Sequence, residues 1–243
     1  MAGYLWSKEA AVDMNLEELK IIGTAHVSEE SVDEVRRTIL EMKPDVVAVE
    51  LDPGRYRRLM DEKMGIKRDE PSLQDVLRSG NIGVILAGWF LTYFQRKIGE
   101  DIGVKPGSEM LAAIEAAHEV GAGVALIDRD IGVTMQRAIR SMSLREKLRF
   151  FLAIMRSFIG GEDARDIESL KSDDTLAEVM EEFREISPSA YHVLVEERDA
   201  FMAHRLLSIE EDRVVAVVGA GHRRGIEHYL RNPHELPPLE ELI

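Results

Sequence analysis

The sequence predicts an α/β fold in which a mostly parallel central sheet is flanked by helices. Four short segments are near-continuous apolar runs, which is typical of parallel strands that are covered on both faces. These segments lie at residues 19–23, 46–51, 124–127 and 214–218. Helical patterns follow them, and alternating strands and helices indicate a parallel sheet. From about residue 131 to 207 helix follows helix, so we expect one domain over residues 1–243 with a mainly helical insertion there.

The first two helices carry recognisable signals at their ends. After the first apolar run, Ser28 can cap a helix that Pro44 ends. The apolar positions of this helix recur every three or four residues, at Val32, Val35, Ile39 and Met42. After the second run, Asp52 and Pro53 are typical of a helix cap and of a first helical residue. Each helix is therefore predicted to begin close behind the strand that precedes it.

Composition and charge exclude several classes of function. The chain has 31 Lys and Arg residues against 45 Asp and Glu residues, which gives a formal net charge of −14. Nucleic acid and anionic lipid would repel such a surface, so we predict no nucleic-acid partner. The chain contains no Cys, which excludes disulfides, thiolate metal ligands and a Cys nucleophile. Any metal must therefore be held by His, Asp and Glu side chains.

Two hydropathy features bear on location and assembly. The sequence shows no signal peptide and no apolar run of about 18 residues, the length of a membrane span. We therefore expect the chain in the cytoplasm or at the cytoplasmic face of a membrane. Segment 82–94 is shorter but apolar nearly all round, which favours a homodimer contact. A central helix of the domain and a membrane contact are the alternatives for this segment.

Chemically useful residues stand where the predicted strands end. Ligands of open parallel sheets bind beyond the carboxyl ends of the strands. The residues delivered there are Gly23, His26, Glu50, Asp128, Gly219 and His222. Two histidines with a carboxylate form a ligand set suited to Mn²⁺, Fe²⁺, Co²⁺ or Zn²⁺. The alternative to metal binding is a structural role for each residue. The two histidines would then form hydrogen bonds to the backbone, and Glu50 would start a helix or pair with Arg55.

A second candidate lies on the late helix that starts near Ser187. Helical spacing from the apolar residues of this helix places Glu197 and Arg198 in the stripe that should be buried. The same spacing turns Asp199 toward another face. A structural ion pair would explain the two charges. The functional alternative is that Arg198 holds a substrate carboxylate or oxyanion and Glu197 binds metal or moves protons.

Four motifs together resemble a known family. They are GTAHVS, VVAVELDPGRYRRL, ERDAFMAHRL and VVAVVGAGH. In this order they resemble the TraB/PrgY or "pheromone shutdown" proteins, and the resemblance covers nearly the whole chain. The wider superfamily includes the Tiki metalloproteases and GumN-like proteins, with more distant similarity to erythromycin esterase and the haem-binding ChaN fold.

The resemblance implies a metal-dependent hydrolase, and specifically a peptidase. It implies that His26, His222 and Glu50 hold Mn²⁺ or Co²⁺, with Zn²⁺ and Fe²⁺ as alternatives. Its matching motif residues give catalytic roles to Glu50, Arg55, Glu197 and Arg198, and place Gly23, Asp128, Asp199 and Gly219 around them.

A peptide or protein is then the expected substrate. A non-catalytic module that sequesters a peptide or haem-like ligand, and a protein that serves only assembly, are the competing hypotheses. Many prokaryotic relatives continue into C-terminal membrane helices, so membrane association through such a region is also expected.

Overall fold

The computed structural model of the chain describes residues 18–24, 29–66, 107–149, 152, 180–181 and 183–243. Three sequence predictions fall outside these ranges, and the first of them is the helix cap at Ser28. The other two are the ligand role of His26 and the homodimer contact of segment 82–94. Within the described ranges, no helix is both long enough and apolar enough to cross a membrane.

Four parallel strands form one sheet, as the sequence predicts. They are β1 (Leu19–Thr24), β2 (Val46–Val49), β3 (Gly123–Leu126) and β4 (Val214–Gly219), and they lie side by side in the order β1-β4-β2-β3. Val46 of β2 lies opposite Val214 on one side and Gly123 on the other. Thr24 lies opposite Gly219 at the far end of β1. The carboxyl ends of the strands therefore meet at one edge of the sheet.

Helices connect the strands, and every described residue in regular structure between β3 and β4 is helical. The helices are α1 (Glu29–Met42), α2 (Pro53–Lys63), α3 (Ser108–Val120), α4 (Ile131–Ser141), α5 (Pro188–Tyr191), α6 (Glu197–Leu207) and α7 (Ala220–Arg231). Short helical pieces also occur within 144–149 and 183–186. The described part of the region from 131 to 207 agrees with the predicted helical insertion.

Each face of the sheet is covered by a pair of helices. Alternate strand residues such as Val47 and Val217 pack with the buried side chains of α1 and α3. The intervening residues, such as Ala48 and Ala216, pack with buried side chains of α6 and α7. Because β2 and β4 are buried on both faces, their sequences are continuously apolar rather than alternating. This burial holds the strand ends, and the residues that follow them, in fixed positions.

Asp52 caps α2 as predicted. Its Oδ1 accepts hydrogen bonds from the backbone N–H groups of Gly54, at 2.7 Å, and Arg55, at 3.1 Å, and Pro53 is the first helical residue. A side-chain oxygen at this position satisfies N–H groups that have no partner within the helix. The cap starts α2 directly behind β2 and places Arg55 in the first turn, next to the edge where the strands end.

One π-helical turn, His192–Glu196, joins α5 to α6. A π-turn accommodates one more residue than an α-turn, so it rotates the faces of the following helix. The buried residues of α6 are Asp199, Ala200, Met202, Ala203 and Leu206. The prediction that Asp199 turns toward another face was therefore wrong, because Asp199 lies three residues before Met202 and seven before Leu206 and so shares their buried stripe.

Candidate functional site

Six charged or titratable side chains meet at the carboxyl edge of the sheet, and we call them the Arg198 cluster. They come from the ends of β2 and β3 and from helices α2, α6 and α7, and comprise Glu50, Arg55, Asp128, Arg198, Asp199 and His222. All six are among the residues that the sequence predicts for the site. Their convergence follows from the parallel sheet, which brings the strand ends to one edge.

Arg198 is the centre of this cluster. Its Nε and Nη2 donate to both carboxylate oxygens of Asp128, at 3.0 and 2.7 Å. Nη2 also donates to Oε1 of Glu50 at 2.5 Å. Nη1 donates to the backbone carbonyl of Leu194 at 3.3 Å and lies 2.9 Å from Nε2 of His222. The planar guanidinium thus uses its whole set of donors to connect three strand ends, which a lysine could not do.

Glu50 is a buried carboxylate that stays ionised. Its Oε2 accepts a hydrogen bond of 2.6 Å from the backbone N–H of Gly219. Burial favours the neutral acid, but His222, Arg198, the Gly219 N–H and Arg55 together lower the pKa of Glu50 to about 2. Glycine at 219 keeps this approach open, since an added Cβ would lie 3.3 Å from Oε2 of Glu50. The predicted acidic residue is therefore present as an anion at neutral pH.

Asp199 and His222 form a short hydrogen-bonded pair. Oδ1 of Asp199 lies 2.6 Å from Nδ1 of His222. The other ring nitrogen, Nε2, faces Nη1 of Arg198, which can only donate. A neutral ring therefore carries its proton on Nδ1 and directs the lone pair of Nε2 into the cluster. Burial raises the pKa of Asp199, and the hydrogen bond to His222 and the charge of Arg198 oppose that effect.

Arg55 is the most accessible cation of the cluster. Its Nη1 donates to Oδ2 of Asp128 at 2.9 Å. The Arg55 side chain is 38% exposed, whereas that of Asp128 is 1% exposed. Among the described residues, Asp128 is the single hydrogen-bond partner of the Arg55 side chain. With respect to the described residues, Arg55 is thus held at one nitrogen, and its other donors face no described partner.

The predicted metal site can be tested against these donors. Oε1 of Glu50 and Nε2 of His222 are 3.6 Å apart, a separation that one ion could bridge with ordinary bond lengths of about 2.0–2.2 Å. Both atoms, however, already face the Arg198 guanidinium. Within the described part of the chain, no group of three His, Asp or Glu side chains is arranged to hold a metal. These residues alone do not fit a metal centre, and His26 lies outside the described ranges.

Glu197 belongs to a different set of contacts, which we call the Arg129 cluster (Arg129, Arg137 and Glu197). Oε2 of Glu197 accepts from Nη1 of Arg129 at 2.7 Å and from Nε of Arg137 at 2.9 Å, and Oε1 accepts from Nη2 of Arg137 at 3.0 Å. Burial raises the pKa of Glu197, but the two arginines outweigh it and the net shift is downward. The carboxylate of Glu197 is therefore engaged outside the Arg198 cluster.

Arg129 was not predicted as a site residue. Its side chain is buried and donates to Oγ1 of Thr134 at 3.0 Å and to the carbonyls of Val193 and Leu242 at 3.0 and 2.7 Å. It therefore joins the end of β3, the π-turn and residue 242. One sequence signal could have indicated this role. An arginine directly behind a buried strand must be paired, because burying an unpaired charge is very unfavourable.

Gly23 serves close packing rather than chemistry. A Cβ at this position would lie 3.0 Å from Cδ of Arg223 and 3.3 Å from the Cα of Ala220. The missing side chain allows the start of α7 to approach the end of β1. This approach places the first turn of α7, which carries His222, against the edge of the sheet.

Comparison with known proteins identifies the family. The family model described as TraB/PrgY/gumN matches residues 12–235, which includes every member of the Arg198 cluster. The chain belongs to the TraB/PrgY/gumN family. The resemblance stated from the four sequence motifs is thereby confirmed.

Similar proteins occur in Methanocaldococcus jannaschii and in mammals. An uncharacterised protein of Methanocaldococcus jannaschii is 41% identical over 224 residues, covering 88% of this chain and 53% of that protein. The proteins of Bos taurus and Homo sapiens named TraB domain-containing protein are 34% and 33% identical over 231 residues, covering 85% of this chain and 61% of each. This chain therefore spans between about half and three-fifths of the length of these relatives.

Proposed function

We propose that this TraB-family chain is a hydrolase whose reaction centre is the Arg198 cluster. The observation that carries the proposal is the state of His222. In the neutral ring Asp199 accepts a hydrogen bond from Nδ1–H, so the lone pair of Nε2 points toward the charged groups at the edge of the sheet. A carboxylate that orients the imidazole in this way is the arrangement that a histidine general base requires.

The proposed reaction is addition of water to a carbonyl group. Nε2 of His222 takes a proton from the attacking water, and Asp199 stabilises the imidazolium that forms. Arg198 and Arg55 stabilise the negative charge that develops on the carbonyl oxygen. His222 then gives the proton to the departing nitrogen or oxygen, so the products are a carboxylic acid and an amine or alcohol. For this to happen, Nη1 of Arg198 must exchange its contact with Nε2 for a contact with the substrate.

A peptide is the substrate class to test first, because the family resemblance extends to the Tiki metalloproteases. The competing function is a binding module that holds a peptide or haem-like ligand without turnover. Its support is that Arg198 is fully occupied by protein partners, so the cluster is already stable as it stands. The two functions differ in whether product appears.

The test is hydrolysis of an internally quenched peptide library by wild type and two histidine variants. His222→Ala should lose activity by about two to four orders of magnitude, the range expected for a general base. His228→Ala is the matched control, because His228 lies on the same helix and its Nε2 bonds only to the exposed Glu235 among the described residues. Equal activity of His222→Ala and wild type would contradict the proposal, and binding without turnover would favour the competing function.

Metal dependence is tested in a separate experiment. The resemblance predicts that Mn²⁺ or Co²⁺ supports activity, whereas the described residues do not form a metal centre by themselves. Calorimetric titration of Mn²⁺ into wild type, His222→Ala and His26→Ala tests this prediction. Loss of binding in both variants would support a shared site, and equal binding in all three proteins would contradict it.

A further inference from the structure

Asp199 of α6 lies directly against Gly225 of α7. A Cβ placed on Gly225 would lie 3.0 Å from the Cβ of Asp199, 2.6 Å from its Cγ and closer still to its Oδ2. Separations under 3.0 Å do not occur between real Cβ atoms and their neighbours. A side chain at 225 is therefore incompatible with the observed position of the Asp199 carboxylate.

Neither helix can easily move to relieve such a clash. The Cβ of Asp199 is fixed by the backbone of α6, and its side chain is too short to bend around an obstacle. The same two helices are held together by fully buried side chains, including Met202, Ala203 and Ile226. Densely packed interiors resist even small changes of volume. The carboxylate would have to rotate away, and its bond to His222 would be lost.

Backbone conformation does not explain the glycine. Gly225 lies inside α7, where its φ is not positive, so any residue could adopt its backbone conformation. Glycine inside a helix destabilises it relative to alanine. A glycine at this position thus lowers helix stability without a backbone need, and the space that it leaves for Asp199 is the feature that accounts for it.

We infer that Gly225 is a positioning residue: its missing side chain allows Asp199 to reach Nδ1 of His222 and so fixes the tautomer of that ring. The proton of Nδ1 needs an acceptor, and Asp199 is the one that the structure provides. The geometric part of this inference stands independently, and its relevance to catalysis rests on the proposed function.

The test compares Gly225→Ala with Gly221→Ala. Both glycines lie in α7, but a Cβ at 221 would have its nearest neighbour, Cε of Met180, at an ordinary 3.8 Å. The readout is the nitrogen NMR spectrum of histidine side chains, which distinguishes Nδ1–H from Nε2–H tautomers. The chain has 7 His, and the signals of His222 are assigned by their loss in His222→Ala.

Wild type and Gly221→Ala should show the Nδ1–H tautomer at His222, and Gly225→Ala should show a mixture or the Nε2–H form. Peptide hydrolysis should fall by about tenfold or more in Gly225→Ala alone, because the general base is no longer oriented. An unchanged tautomer in Gly225→Ala would overturn the inference. A changed tautomer with unchanged hydrolysis would instead contradict the proposed function and leave the positioning role intact.

A double-variant cycle covers the case in which Gly225→Ala unfolds. If the clash with the carboxylate causes the loss, Gly225→Ala should lower the melting temperature strongly in the protein that retains Asp199. The same substitution should lower it much less in the Asp199→Ala variant. Coupling of this kind is expected only between residues in contact. An equal decrease in both backgrounds would show that Asp199 does not require the glycine, and would overturn the inference.

Discussion

The Arg198 cluster and the Arg129 cluster use adjacent residues of α6. In each cluster a residue of α6 pairs with an oppositely charged residue that follows β3. Glu197 and Arg198 are consecutive, as are Asp128 and Arg129. Asp128 pairs with Arg198, and Arg129 pairs with Glu197. Each pair therefore connects the end of β3 to the start of α6, but the two pairs lie in different surroundings.

The partners of the two arginines explain what each cluster can do. Arg129 donates to two backbone carbonyls, one hydroxyl and Glu197. Carbonyls and hydroxyls do not change their charge near neutral pH, so these contacts hold segments together. Arg198 donates mainly to titratable side chains, one of which is a histidine of fixed tautomer. This difference in partners is why the Arg198 cluster, rather than the Arg129 cluster, is the proposed reaction centre.

The largest expected effect is loss of stability when either arginine is removed. Arg198→Ala leaves Glu50 and Asp128 buried without their shared cation, and Arg129→Ala leaves buried carbonyls without donors. Each change should destabilise the fold by about 3–5 kcal/mol, or roughly 2–4 °C in melting temperature per kcal/mol. Thermal melts by circular dichroism measure this. An unchanged melt for Arg198→Ala would show that the cluster contributes nothing to stability.

The next effect is a pH dependence that belongs to the Arg198 cluster. The pKa of Glu50 is about 2 in the folded protein, below its reference value of 4.5. A carboxyl whose pKa is lowered by folding stabilises the protein above the reference value, and this contribution disappears as pH falls from about 4.5 to 2. The difference corresponds to up to about 3 kcal/mol. Urea unfolding of Glu50→Gln should show a weaker loss of stability over this range than wild type, and equal pH slopes would contradict the assignment.

The smallest expected effect concerns Asp130, which follows Asp128 and Arg129. Its Oδ1 accepts from the N–H groups of Gly132 and Val133, at 2.8 and 3.0 Å, and so caps α4. Asp130→Ala should cost about 1 kcal/mol of folding free energy, the usual value for a lost cap. Hydrolysis should be unchanged, because this carboxylate belongs to neither cluster. A large loss of activity in Asp130→Ala would mean that Asp130 also belongs to the reaction centre.

The fold and most of the site could be predicted because they follow from local patterns. Apolar runs identified the four strands, and parallel strands bring their carboxyl ends together. Glu50, Asp128 and His222 could therefore be expected to meet before any coordinates were known. Asp52 showed how α2 begins, which in turn located Arg55.

Three features could not be predicted, each because it depends on contacts between distant segments. The π-turn before α6 means that spacing from Leu194 does not carry into α6, whereas spacing back from Met202 and Leu206 places Asp199 in the buried stripe. Arg129 finds its partners more than 60 residues away. The role of Gly225 is visible only where α6 and α7 touch, because it depends on the contact of Gly225 with Asp199.

The most direct test of the central claim exchanges each arginine for lysine and compares turnover per folded molecule. Lysine keeps the positive charge but loses the planar set of donors. Arg198→Lys should remain folded and lose peptide hydrolysis by about a hundredfold or more. Arg129→Lys should melt at a lower temperature, yet hydrolyse peptides at close to the wild-type rate when assayed well below its transition. Wild-type turnover in Arg198→Lys together with a large loss in Arg129→Lys would contradict the assignment of the reaction centre.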